Sequence, residues 1–211
     1  EIDQAIKERT VTLGYDKTGD VETFAKSEFA QLYYVLCRAF QPQIVLETGV
    51  AYGRSSAFIL KALSINGTGT LHSIDRPLPI PNAEALIGSI IPDDLKRDWR
   101  LHLGTGYSLF PQLLPQLAKV DIFIHDSRHT YRNMKYEFSA VTPYMKRPGF
   151  VLSGEADQNP ACHDWATKVQ TRARRALAGK GAGGAGVGQR APGVWPGGGE
   201  VGGRWFGAGR R

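Results

Sequence analysis

The stretch Ile44-Val45-Leu46-Glu47-Thr48-Gly49-Val50-Ala51-Tyr52-Gly53-Arg54-Ser55-Ser56 decides the fold. A short apolar run ends on an acid, passes through a turn with two glycines, and opens into a helical segment, Ser55 to Leu63. This is the pattern of a strand, a tight turn and a helix. Gly49 and Gly53 let the backbone approach a partner where a Cβ would collide. Glu47 stands at the strand end, where it can reach a ligand's amino group directly or through water. The spacing is not the dinucleotide fingerprint, which requires G-x-G-x-x-G, and no Gly-Lys-Ser/Thr follows to make a phosphate loop. An acid placed where a pyrophosphate would sit favours a zwitterionic cofactor with a cationic centre over a nucleotide diphosphate. A tight βα turn with no ligand is the plain alternative.

Outward from that stretch the alternation repeats. Residues 21–40 place Val21, Ala25, Phe29, Leu32, Leu36 and Phe40 on one helical stripe, with Asp20 as its cap and Gln41-Pro42 as its stop. Downstream, Asn66-Gly67-Thr68-Gly69 leads into a second strand, Leu71 to Ile74, which closes on Asp75. Residues 83–98 read as mostly helical. Arg100 to Leu103 is a third strand ahead of Gly104-Thr105-Gly106, and residues 107–118 are a helix. Val120 to Ile124 is a fourth strand reaching His125-Asp126, residues 131–145 a further helix, and Phe150-Val151-Leu152 the start of a fifth strand. Strands alternating with helices predict an α/β fold: a Rossmann-like, doubly wound, mostly parallel sheet buried on both faces.

In such sheets ligands bind beyond the carboxyl ends of the strands, so the residues just after each strand carry the chemistry. Asp75, twenty-two residues beyond Gly53, can accept hydrogen bonds from both hydroxyls of a ribose; a helix cap is its ordinary alternative. Asp126-Ser127-Arg128-His129-Thr130-Tyr131 follows strand four. His129 can take a proton near neutral pH, or it can merely cap the next helix or bond a backbone carbonyl. By strand alternation His125 points into packing.

The segments Glu47 to Ser56 and Ser73-Ile74-Asp75-Arg76-Pro77 resemble the first two motifs of class I S-adenosylmethionine-dependent methyltransferases. VDIFIHDSRHTYRNMKYEF (residues 120–138) resembles the D-x-x-H-x-Y-x-x-x-x-x-(D/E) signature of their small-molecule O-methyltransferase branch, which includes macrocin-type and cephalosporin-hydroxylase-type proteins. The resemblance covers residues 20–165. It implies that Glu47, Gly49, Gly53 and Ser55 hold the methionine part of S-adenosylmethionine, that Asp75 holds its ribose, and that Gly104 and Thr105 flank its adenine. Asp126 then lies beside the sulfonium methyl and His129 is the base. It further implies a magnesium-type cation (Mg2+) on Asp126 with Glu155 and Asp157, oxygen ligands suited to a hard cation. Ala156 separates those last two acids, and a solvated acidic loop is the other reading. The expected partner is a small molecule with a hydroxyl acceptor.

A nucleotide-dependent oxidoreductase on the same sheet is the rival enzyme, disfavoured by Glu47 and by the missing third glycine. A catalytically degenerate domain that binds the cofactor or nothing is the non-enzymatic alternative.

Bulk properties bound these readings. The chain has 211 residues, 42% hydrophobic and 22% charged, enough for one domain with a sizeable core. Two cysteines, Cys37 and Cys162, argue against a disulfide scaffold and fit a cytoplasmic protein. No apolar run is long enough for a membrane span, and Glu1, Asp3, Lys7, Glu8 and Arg9 leave no signal peptide. The chain begins at Glu1 rather than Met, so a short preceding segment is expected.

The net charge of +6 is unevenly spread. Residues 168–211 hold nine Lys or Arg against Glu200 alone, a net +8, which leaves residues 1–167 at −2. A slightly acidic body argues against a nucleic-acid acceptor. The division predicted is therefore a cofactor-binding domain over 1–167 and a Gly/Arg-rich tail over 168–211. Fourteen of the 25 glycines fall in residues 179–211, a composition that suits disorder or a frame-shifted reading. An RNA-binding tail is the functional alternative, and Gly-Arg-Trp-Phe-Gly-Ala-Gly-Arg (residues 203–210) alternatively forms a last strand. If the tail is coil, the C-terminal strands of the sheet are lost and its edge is open, which a homo-oligomer would cover.

Overall fold

Residues 45–48, 122–125 and 149–153 are buried without a break, and these runs lie at the centre of the sheet. The computed structural model describes residues 2–13, 29–154, 156, 159–181 and 203–207, for 172–181 and 203–207 as backbone only. Asp20, Val21 and Ala25 of the predicted first stripe, Glu155 and Asp157, and tail residues 182–202 and 208–211 lie outside the described residues.

The strands are β1 (Ile44–Thr48), β2 (Thr70–Asp75), β3 (Trp99–Leu103), β4 (Val120–His125), β5 (Met145–Ser153) and β6 (Gly203–Gly207). They form one sheet in the order β3-β2-β1-β4-β5-β6, with every pairing parallel. The helices are α1 (Ile2–Thr12), α2 (Phe29–Phe40), α3 (Arg54–Asn66), α4 (Ala83–Leu86), α5 (Gly106–Leu117), α6 (Tyr131–Val141) and α7 (Ala161–Gly181). The doubly wound parallel sheet is thus present. β6 supplies a sixth strand at the edge that the composition of the tail left in question, and α7 runs past residue 168. Among the described residues no helix is long and apolar enough to cross a membrane.

Strand alternation divides the core. Val45, Leu71, Ile122, Ile124, Phe150 and Leu152 face α1, α2 and α3, where Ile6, Tyr33, Cys37, Ile59 and Leu63 are buried. Leu46, Ile74, Phe123 and Val151 face the other way, onto Phe110, Leu113, Met134, Phe138 and Trp165 of α5, α6 and α7. Successive strand residues therefore serve different cores. At the end of β1 this sends Glu47 toward α3 and Thr48 toward α6.

Two expected helices differ. Residues 83–98 hold only the short α4 and a 3-10 turn, Asp93–Asp98. Gly88 has φ +68°, and a Cβ there would run into the Trp99 ring, so the chain bends around that indole. Pro92 then blocks continuation. The helix expected over 131–145 ends at Val141 and passes into a 3-10 turn, Thr142–Tyr144, because Pro143 has no N–H to donate.

Candidate active site

β1 pairs with both β2 and β4, so the direction of winding reverses between β1 and β4. This is where open α/β sheets bind ligands. The Asp126 amide donates to the Thr48 carbonyl at 2.8 Å, tying the two strand ends together. Gly49 has φ +87°, and a Cβ built on it would collide with the Asp126 carbonyl; at Gly53 (φ +96°) it would meet Ile91 and Gly88. Both glycines are thus required by the packing of the protein itself, before any ligand is considered.

Asp75, at the end of β2, holds the turn after β1 in shape. Its Oδ2 accepts from the Val50 and Ala51 amides at 2.9 and 2.8 Å, while Oδ1 accepts from the Arg76 amide at 2.7 Å. Glu47 lies deeper and has no accessible surface. It accepts from the hydroxyls of Ser55 (2.5 Å), Ser56 (2.6 Å) and Ser73 (2.9 Å), and Trp99 Nε1 donates to Ser73 in turn. Burial pushes the Glu47 carboxyl up to about 7; the three serine hydroxyls oppose that rise and the charge of Asp126 adds to it. The sequence placed Glu47 against a ligand's amino group. Here Ser55, the half-buried residue of its network, is the one nearer solvent.

After β3, Gly104 donates its amide to the Asp75 carbonyl at 2.8 Å. Thr105 caps α5 in a reciprocal box with Ser108, so its hydroxyl is committed to the helix. After β4, His129 Nε2 stands 3.5 Å from Asp126 Oδ1, with the histidine side chain 20% and the aspartate 42% exposed. His129 is not the helix cap; Thr130 caps α6, accepting from the Asn133 amide. A Cβ on Gly154 would strike Asp126 Oδ1, which brings the end of β5 to the same place. Among the described residues no Lys or Arg pairs with Asp75 or Asp126, so the crevice carries negative charge available to a cationic ligand. Leu78 and Ile80 after β2, Leu103 at the end of β3 and Tyr107 in the first turn of α5 are exposed apolar side chains. Glu155 and Asp157 lie outside the described residues, and among those described no cluster of three metal-ligating side chains occurs.

The sequence reading assigned no role to Glu137. It is 1% exposed and accepts from Thr48 Oγ1 (2.6 Å), His125 Nδ1 (2.7 Å), Ser127 Oγ (3.0 Å) and Asn133 Nδ2 (3.3 Å). The signal was present: Met134, Glu137, Phe138 and Val141 form the buried stripe of α6, and an acid in such a stripe requires buried partners. His125 is fully buried, as strand alternation predicted.

The profile of a methyltransferase domain family matches residues 46–155, just over half of the chain, and the chain belongs to that family. Solved structures share the fold. The O-methyltransferase TomG from Streptomyces achromogenes, involved in tomaymycin synthesis and crystallised with S-adenosylmethionine, is 19% identical over 70% of this chain and 63% of its own, with a TM-score of 0.53. An O-methyltransferase from Bacillus cereus in complex with S-adenosylhomocysteine is 14% identical over 69% of this chain and 63% of its own, TM-score 0.52. CalS11, a TDP-rhamnose 3'-O-methyltransferase of calicheamicin biosynthesis, is 16% identical over 81% of this chain and 84% of its own, TM-score 0.55. The chain thus spans less than two thirds of the length of the first two. Comparison with the curated proteins gave no match.

Proposed function

We propose that this protein is an S-adenosylmethionine-dependent O-methyltransferase acting on a hydroxyl of a small molecule. The observation that carries this reading is the convergence of two acids at the reversal of the sheet. Asp75 shapes the turn after β1, and Asp126 with His129 faces it from β4. Membership of the methyltransferase family and the cofactors bound by TomG and the Bacillus cereus enzyme support it.

The residues fit the cofactor. Gly49, Gly53 and Ser55 form the floor for a methionine moiety, and Asp75 has carboxylate lone pairs beyond those its three amides use. Gly104 and Thr105 flank the adenine position by their backbone, and Asp126 offers a carboxylate to the cationic end. Glu47 acts from beneath, fixing Ser55 and Ser56 at the start of α3. S-adenosylmethionine, when bound, supplies an electrophilic methyl group. His129 accepts the proton of the acceptor hydroxyl, and Asp126, 3.5 Å from its Nε2, stabilises the imidazolium. Most of the catalytic effect then comes from orientation. Asp126 with Glu155 and Asp157 is the candidate set for a magnesium ion that would orient the acceptor oxygens. An acidic body leaves nucleic acid an unsuitable acceptor, and a cytoplasmic site of action fits the cofactor.

Calorimetry with S-adenosylhomocysteine against NAD tests this directly. Heat with the former and none with the latter is expected; heat with NAD alone would establish the oxidoreductase instead. Methyl transfer to a panel of sugar and phenolic hydroxyls, with and without chelator, then tests the acceptor class and the metal.

A further inference from the structure

We propose that Glu137 is a positioning residue that locks the two strand-end turns of the methyl-transfer site to one another. Its carboxylate lies on the face of the sheet opposite Glu47 and uses each oxygen twice. Oε2 accepts from Thr48, the last residue of β1, and from His125, the last residue of β4. Those two residues are register partners in the sheet. Oε1 accepts from Ser127 and Asn133, and Asn133 Nδ2 also donates to Ser127 Oγ at 3.1 Å and to the Arg128 carbonyl at 3.0 Å. The turn from Asp126 to His129 is therefore pinned at Ser127 and Arg128, and the turn beginning at Gly49 is pinned at Thr48. The start of α5 abuts the same group, because a Cβ on Gly106 would press on Glu137 Oε1. One buried side chain thus ties together the ends of β1 and β4 and the helix that follows β3.

The geometry also fixes the state of His125. A carboxylate only accepts, so the imidazole donates through Nδ1–H. Its Nε2 is left buried without a hydrogen-bond partner among the described residues, and its ring meets the His129 ring edge-on at 5.4 Å. The candidate base is thus packed against a histidine whose orientation Glu137 sets. An amide at position 137 cannot reproduce this, since it offers one accepting oxygen where four donors need two. In Glu137→Gln the NH2 group falls on the Thr48 and His125 side, since a hydroxyl and an imidazole in its other tautomer can accept from it, whereas Asn133 Nδ2, which also donates to the Arg128 carbonyl, can only donate.

The proposal rests on the cofactor reading above, and its test separates the two. In long-range 1H–15N spectra the parent protein is expected to show His125 as the Nδ1–H tautomer. Glu137→Gln is expected to change that tautomer and to weaken S-adenosylhomocysteine binding about tenfold by calorimetry. Asn133→Ala, which cuts only the tie to the strand-four turn, is expected to weaken it in the same direction by about threefold. Val141→Ala removes core volume from the same helix and sets the comparison for plain loss of stability; it is expected to bind within about twofold of the parent.

Parent-like affinity and tautomer in Glu137→Gln would overturn the proposal, as would an equal loss of affinity in Val141→Ala. If Glu137→Gln does not fold, Asn133→Ala decides, and parent-like affinity there would refute the lock. If the parent itself fails to bind S-adenosylhomocysteine, the cofactor reading falls. The His125 tautomer in Glu137→Gln then judges the lock alone, an unchanged spectrum refuting it.

Discussion

At the scale of single residues, the carboxylates at the strand ends divide their labour by depth. Asp75 is half-buried and grips two amides of the turn after β1. Asp75→Ala should leave those amides without an acceptor, cost about 1–2 kcal/mol in unfolding free energy, and weaken S-adenosylhomocysteine about tenfold or more. Chemical denaturation and calorimetry on the same variant check both. Thr130, not His129, caps α6, so the cap survives removal of the imidazole. His129→Ala should therefore lower methyl transfer by about a hundredfold or more with affinity for S-adenosylhomocysteine nearly unchanged; equal losses in both would remove it from the role of base. Gly49 admits no side chain, because a Cβ would meet the Asp126 carbonyl in a backbone region unfavourable to other residues. Gly49→Ala should cost about 2–3 kcal/mol or more, read as a lowered melting temperature.

At the scale of elements, Thr105 shows how a site residue can be legible in position yet not in role. Its place after β3 marks it for the adenine, but its hydroxyl caps α5 with Ser108. Thr105→Val should cost about 1 kcal/mol of stability and change cofactor affinity by less than about threefold. A larger loss of affinity would mean that the hydroxyl itself touches the ligand. The strands were readable for a simple reason: in a parallel sheet buried on both faces, runs such as Ile44 to Leu46 and Ile122 to Ile124 are apolar without interruption. Asp75 and Asp126 were readable because each stands where a strand ends, Asp75 directly after Ile74 and Asp126 directly after His125. The region from Ala83 to Asp98 was not, since Ile87, Ile90, Ile91 and Leu95 have helical spacing while the bend is dictated by Trp99 against Gly88, a contact no local pattern reveals. The partners of Glu137 were hidden likewise. Thr48 lies 89 residues away in sequence and carries no mark of its own.

At the scale of the whole molecule, the buried Glu47 and the half-buried His72 pull stability in opposite directions with pH. Burial raises the Glu47 carboxyl from 4.5 to about 7, so its contribution is fully present below about 4.5 and is lost as pH rises through about 7. Burial, with His102 and Arg100 nearby, lowers His72 from 6.5 to about 4, so its contribution is present above 6.5 and is lost as pH falls toward 4. Between these limits the two offset each other. Urea midpoints should be flatter with pH in the parent than in His72→Gln, whose midpoint should climb on acidification from pH 7 to 5. An unchanged profile would mean that His72 does not supply the opposing slope. The tail matters at this scale too, since β6 covers the outer edge of β5. A chain cut after Gly181 should bare that edge and raise the tendency to self-associate, visible in light scattering. Finally, because all six strands run the same way, every turn implicated in chemistry leaves the sheet at one end. The opposite end, where a Cβ built on Gly67 meets nothing within 4 Å, offers a place for a fluorophore or a surface tether. A protein anchored there would still present the whole carboxyl end of its sheet to the solution.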